Sequence, residues 1–151
     1  MSQSLPIERS TLPCLCAQTR RVDRLFNRIY DDALRPLGIN TMQKSLLTNI
    51  GRSPDGADFA ELSERLAMDR STLTRNLSTL GKAGLVSVTP DTHDRRKRVV
   101  ALTEAGRQTE AESVALWLDA QRRVVTALGF ERAEELTTLL ASVEQTMREL
   151  D

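Results

Sequence analysis

The chain has 151 residues, and its 21 Lys and Arg balance 21 Asp and Glu for a formal net charge of zero. That length suits one domain and is too short for a multi-domain enzyme, and 40% hydrophobic with 28% charged residues excludes a disordered chain. Aromatics at 3% leave no large stacking platform for bases or sugars, and no apolar run reaches the roughly 18–20 residues of a membrane span. The N-terminal residues lack the basic start and apolar stretch of a secretion signal, and Cys14 and Cys16 are too few and too close for a disulfide framework. A cytoplasmic, soluble, single-domain protein is expected over 1–151. Zero net charge, taken alone, also argues against nucleic acid as a partner.

The first periodic segment runs from about Pro13 to Leu37, with Val22, Leu25, Phe26, Ile29, Tyr30, Ala33, Leu34 and Leu37 on one apolar stripe. Pro36 and Gly38 terminate it. A second helix fits Met42–Ile50, with Thr41 as N-cap, and Ser53-Pro54-Asp55-Gly56 reads as a turn. Asp58-Phe59-Ala60-Glu61 has the spacing of a capping box and opens a short helix to about Ala67. A further helix, Arg70 to Ala83, carries Leu73, Leu77 and Leu80 on one stripe and stops at Gly84. Two β-prone runs, Val86–Thr89 and Arg98–Leu102, flank a polar loop and predict a hairpin. Thr103 caps a long helix, Glu104 to about Leu128, with Val114, Trp117, Leu118, Val124, Val125 and Leu128 on one face. The last helix spans about Glu131–Leu150, with Leu136, Leu139, Leu140, Val143, Met147 and Leu150 at helical spacing.

Charge along this order is uneven. Residues 65–107 hold nine basic and four acidic side chains, whereas residues 108–151 hold four basic and nine acidic. The zero is therefore a cancellation, and a basic middle segment hints at a polyanion. A short helix, a turn, a second helix and a basic hairpin form a winged helix-turn-helix. With Leu73, Leu77 and Leu80 inward, Ser71, Arg75, Ser78 and Lys82 fall on the outward face, beside Arg70, Thr72 and Thr74. These are hydroxyls and cations, suited to base edges and phosphates, and no acid occurs from 70 to 90. Asp69 is assigned to capping this helix. In the hairpin, Asp94-Arg95-Arg96-Lys97 sets three cations beside one carboxylate; an Arg there suits the minor groove, with Asp94 holding its guanidinium. The competing reading of both features is a solvated surface with a local Asp–Arg pair.

The stretch Arg70-Ser71-Thr72-Leu73-Thr74-Arg75, Leu80, Gly84-Leu85-Val86, Asp94-Arg95-Arg96 and Ala101-Leu102-Thr103-Glu104-Ala105-Gly106 resembles the signature of the multiple-antibiotic-resistance regulator (MarR) family. The likeness covers nearly the whole chain, and its D-R-R…L-T-x-x-G part is the specific one. It departs at Gly81, where an acid is common, and at Asn76, where an apolar residue is. The resemblance implies a mainly α fold with a small β-hairpin wing. A winged core over 41–102 would be flanked by long dimerisation helices over 13–37 and 104–151. It also implies a homodimeric transcriptional regulator, usually a repressor, that binds a double-stranded, pseudo-palindromic operator and is released by a small molecule or oxidant. The apolar stripes of the end helices independently favour pairing, which would match two half-sites about 10 bp apart. Packing within one chain is the other way to cover them.

Cys14 and Cys16 sit where the first helix begins, a position that favours a thiolate, and Arg20 and Arg21 follow. Cys16 to Thr41 resembles the organic-hydroperoxide sensors of the same family, with Cys16 at the sensing position and Tyr30 at one tyrosine position. The other tyrosine position is Arg20 here. A buried, inert thiol is the alternative. A small-molecule pocket between the end helices and the winged core would draw on Leu25, Ile29 and Trp117. The two cysteines and His93 do not make a zinc set, so neither metal nor cofactor is expected. A regulator without catalysis is the leading expectation. The alternatives are a thiol-based peroxide-reducing enzyme using Cys16, which leaves the basic hairpin unexplained, and a winged-helix adaptor that binds no DNA.

Overall fold

The computed structural model describes residues 12–91, 94 and 97–150. Helix α1, Leu15–Leu34, runs into a 3-10 turn over Arg35–Leu37, and Gly38 closes that turn in the left-handed region at φ 67°. Helix α2 spans Thr41–Gly51, and its cap differs from the sequence expectation. Asn40, not Thr41, is the N-cap: its side chain accepts from the Gln43 N–H while Gln43 accepts from the Asn40 N–H, both at 2.9 Å. The reciprocal box satisfies two orphan backbone groups where a Thr41 cap would satisfy one. Thr41 is freed to tie α2 to α1, its N–H and hydroxyl donating to Asp31 at 2.7 and 2.5 Å.

Strand β1, Ala57–Asp58, leads into α3, Phe59–Arg65, whose N-cap is Asp58; its side chain accepts the Glu61 N–H, half of the expected box, while the Glu61 carboxylate pairs with Arg65. Helix α4 covers Arg70–Lys82, followed by strands β2, Val86–Pro90, and β3, Arg98–Leu102. The expected hairpin is thus two strands of an antiparallel three-stranded sheet in the order β1-β3-β2. Two residues are too few to show a period-2 pattern, but Ala57 pairs with Val100 and both are fully buried. Helices α2, α3 and α4 bury Leu46, Leu47, Ile50, Leu62, Leu73, Leu77 and Leu80 with Val86 and Val100 of the sheet in one core.

Helix α5, Glu104–Leu128, starts at the Thr103 cap, and α6, Phe130–Arg148, follows Gly129. The face expected of α5 from periodicity is corrected in part: Val124 is buried and Trp117, Val125 and Leu128 are half-buried, but Val114 and Leu118 are not on the covered side. Ser113, Ala120 and Val124 are its buried residues besides Gly106, whereas Val114 and Leu118 are 40% and 44% exposed. Helices α1 and α2 lie against α5, and small side chains such as Ser113 and Ala120 let helix axes approach closely. Helix α6 packs on α5 yet buries none of its own residues, leaving Leu139, Leu140, Val143 and Met147 exposed; Leu15, Val22 and Leu25 of α1 are exposed too. No described helix is long and apolar enough to cross a membrane.

Candidate nucleic-acid interface

The turn between α3 and α4 is drawn tight by the Met68 N–H donating to the Ser63 carbonyl at 2.9 Å, which buries Met68 and leaves Asp69 at the surface. Asp69 caps α4 as expected, its carboxylate accepting the Thr72 N–H at 2.9 Å. It also accepts the hydroxyls of Ser71 and Thr72 at 2.6 and 2.7 Å. The Ser71 hydroxyl, then that of Thr72 and the Thr72 N–H, hold the Asp69 carboxyl well below the usual carboxylate range. It is ionised at any physiological pH.

Leu73, Leu77 and Leu80 are buried, which turns Ser71, Thr74, Arg75, Ser78 and Lys82 to the outside, with Thr72 and Asn76 half-buried at the edges. The end of α4 is a left-handed stop. Gly84, at φ 73°, donates to the Gly81 carbonyl at 3.0 Å, and Leu85 donates to Leu80 at 3.0 Å. Chain direction then reverses into β2. The loop base is closed by Asp91 N–H to the Lys97 carbonyl at 3.0 Å and Lys97 N–H to the Asp94 carbonyl at 2.8 Å. Arg95, Arg96 and His93 lie outside the described residues.

The structure brings the start of α4 and the wing together. Phe59, Ser63, Arg70, Thr74, Lys97 and Arg98 all line one open cleft of about 630 Å³. Arg98 was absent from the sequence-derived set because it reads as the first residue of a strand; its exposed position beside Lys97 and Arg70 adds a cation to this face. Elsewhere Arg35, Arg65, Arg107 and Arg148 are each held by a carboxylate one helical turn away. Among the described residues, Arg70, Arg75, Lys82, Lys97 and Arg98 have no such partner, a property they share with arginines of α1 and α5 such as Arg24, Arg28, Arg122 and Arg123. Helix α4 itself carries no acid; Asp69 at its cap and Asp58 on the cleft wall are the acids beside these cations, which outnumber them, so the face is basic in balance, as phosphate binding requires.

The other expected residues lie apart from this face. Cys14 is the N-cap of α1, and Cys16 is in its first turn; both thiols are exposed. Tyr30, half-buried, donates its hydroxyl to Gln121 on α5 and stacks on Trp117 with centroids 6.4 Å apart. Burial raises the Tyr30 pKa, so the phenol keeps the proton it donates. Fourteen residues of continuous helix separate Cys16 from Tyr30, about 21 Å, so one protomer does not bring the two together. Of the pocket candidates, Leu25 is exposed, while Ile29 and Trp117 are half-buried. The Trp117 ring is engaged on α1 by Tyr30 and on α2 by the Lys44 ammonium, 5.3 Å from its centroid. Lys44 also donates to Thr48, which bonds Glu110 of α5, so a polar and aromatic seam joins α1, α2 and α5. Among the described residues, no cluster of three His, Cys, Asp or Glu could hold a metal.

A sequence model of the MarR family matches residues 37–97, from the last residue of the 3-10 turn to the wing loop, ending before β3. The transcriptional regulator MosR of M. tuberculosis, solved in complex with DNA, is 34% identical. That match covers 90% of this chain and 99% of MosR at a TM-score of 0.76. A mutant MarR from E. coli, complexed with operator DNA, is 28% identical over 85% of this chain and 92% of its own, again at 0.76. The S. aureus MepR–DNA complex shares the fold at a TM-score of 0.77, with 18% identity over 89% of this chain and 99% of that one.

Proposed function

The chain belongs to the MarR family, and from that premise we propose that it is a sequence-specific DNA-binding transcriptional regulator, a homodimeric repressor released by an oxidant or a small molecule. One observation carries this reading. The acid-free basic face of α4 stands beside the wing in a chain 34% identical, across 90% of its length, to a regulator solved on DNA. In the proposed complex Arg70, Thr74, Arg75, Ser78 and Lys82 meet the major groove, while Arg95, Arg96, Lys97 and Arg98 reach the flanking backbone and minor groove. Residues 41–102 form the DNA-reading core, and 13–37 with 104–151 pair two copies. The relatives are regulators rather than enzymes, which favours this reading over a peroxide-reducing one.

Binding to duplex DNA over a salt series tests it. Phosphate contacts by five or more cations per chain should give a log–log slope of several units, and salt-independent affinity would contradict the reading. Arg75→Ala is expected to weaken operator binding by about 1–3 kcal/mol and to relax sequence preference. Arg96→Ala should weaken binding by a similar amount; unchanged affinity would remove the wing from the mechanism.

Two exposed thiols at the start of α1 support the oxidant arm. Attack of the Cys16 thiolate on a hydroperoxide O–O bond would yield a sulfenic acid and the alcohol, and Cys14 stands two residues away to condense with it. Wild-type protein should then release DNA on hydroperoxide treatment and recover with a thiol reductant, while Cys16→Ser keeps binding. Wild-type binding that ignores hydroperoxide would move the effector to a small molecule.

A further inference from the structure

The first turn of α4 is selective in hydrogen-bond direction as well as in charge. An ionised carboxylate only accepts. In the 2.6 Å bond from Ser71 and the 2.7 Å bond from Thr72, the hydroxyl protons therefore point at Asp69. What both hydroxyls can offer a ligand is oxygen lone pairs. Such charge-assisted bonds are roughly twice as strong as neutral ones. Thr74 and Thr79 differ, since their hydroxyls donate to the neutral carbonyls of Arg70 and Arg75 at 2.7 and 3.1 Å and exchange more easily. Ser71 is exposed and Thr72 half-exposed, on the turn that leads the outward face of α4.

Two acceptor-only oxygens repel phosphate and base carbonyls, which are acceptors as well. They match a donor. In the major groove each base pair presents one exocyclic amino group, N6 of adenine or N4 of cytosine, among the acceptors N7, O6 and O4. Arg70 and Arg75, donors without acceptors, supply the opposite preference from the same face.

We infer that Asp69 is a positioning residue that sets sequence preference. By holding the Ser71 and Thr72 protons it makes this turn read the exocyclic amino group of an adenine or cytosine at one base pair of each half-site, and disfavour a thymine or guanine carbonyl there. The inference rests on the regulator reading above. It also replaces the simpler expectation that these hydroxyls donate to phosphates.

The test starts by selecting binding sites from random duplex DNA with wild-type protein. The selected duplex is then remade with purine in place of each adenine, or pyrimidin-2-one in place of each cytosine, one position at a time. Affinities are measured for wild type, for the Ser71→Ala, Thr72→Val double variant and for Asp69→Asn. At one position per half-site, deleting the amino group should weaken wild type by about tenfold while leaving the double variant indifferent. Whether the purine or the pyrimidinone series shows the loss identifies adenine or cytosine. Asp69→Asn keeps an N-cap, but its amide N–H donates to the Thr72 hydroxyl and turns that proton outward. Its selected base at that position should leave adenine and cytosine for thymine or guanine. The inference is overturned if no amino deletion costs wild type more than the double variant, or if Asp69→Asn selects the wild-type sequence. A wild type that selects no sequence and binds DNA without salt dependence overturns the regulator reading itself, a separate result.

Discussion

Substituting alanine for Gly106 is expected to lower the unfolding free energy by about 3 kcal/mol or more. A Cβ there would stand 1.9 Å from the Leu85 carbonyl oxygen and 3.0 Å from its carbon. Leu85 is poorly placed to retreat. Its carbonyl accepts the Thr103 N–H at 3.1 Å, and its own N–H closes the end of α4 on Leu80 at 3.0 Å. Thr103 also donates its hydroxyl to the Gly84 carbonyl at 2.6 Å and accepts the Gly106 N–H at 3.0 Å. One added methyl therefore opens the seam that joins the end of the recognition helix to the start of α5. Urea unfolding reads the loss, and an unchanged midpoint would show the seam to be slack. Operator affinity should fall further than the unfolded fraction accounts for, because the direction of α4 relative to α5 is set there. Gly81→Ala is the contrast. Its Cβ meets only the Val86 carbonyl oxygen, at 4.0 Å, and its helical backbone suits alanine, so a gain of about 0.4–1 kcal/mol is expected.

The paired substitution Leu139→Arg, Val143→Arg is expected to yield a folded monomer that binds operator about 10²- to 10⁴-fold more weakly. Both residues lie on α6 one turn apart, at 61% and 47% exposure, so neither belongs to the buried core of its own chain. Leu140, Met147, Val114, Leu118, Val22 and Leu25 add exposed apolar side chains on α6, α5 and α1, the kind of surface that a second copy would cover. Covering it with a second copy joins two reading heads, and the second half-site then binds as an intramolecular event. Sedimentation should find wild type near twice 16.9 kDa and the variant near 16.9 kDa. An unchanged far-UV circular dichroism spectrum, with melting that no longer depends on protein concentration, would show that the fold is kept and only association is lost. A wild type that sediments as a lone chain at micromolar concentration, or a monomeric variant with wild-type affinity, would sink the dimer.

Signals carried within one helical turn were legible in the sequence. Leu73, Leu77 and Leu80 marked the buried stripe of α4, Gly84 its stop, and Asp58, Asp69 and Thr103 the caps of α3, α4 and α5, because caps and stripes act over three or four residues. The Asn40-to-Gln43 box had the same short range and could have been found by its spacing. The segment charges likewise turned a net zero into a basic middle and an acidic end, which is where the polyanion partner came from.

What depended on a distant partner was not legible. β1 is two residues whose identity as a strand comes only from pairing with β3. The face of α5 was legible only in part, because apolar periodicity does not say whether a stripe meets its own chain or another: Val124 is buried, but so are Ser113 and Ala120, while Val114 and Leu118 lie outside. Arg98 joined the basic face only when the hairpin folded back beside Arg70. By itself the sequence determined the order of the long helices and the hairpin, the outward residues of α4 and the sign of the charge it presents, all local or additive properties. The tertiary structure decided which faces stay uncovered, how Gly106 locks α4 to α5, and which cations gather at one cleft. Those are matters of approach between segments far apart in the chain, which no local pattern encodes.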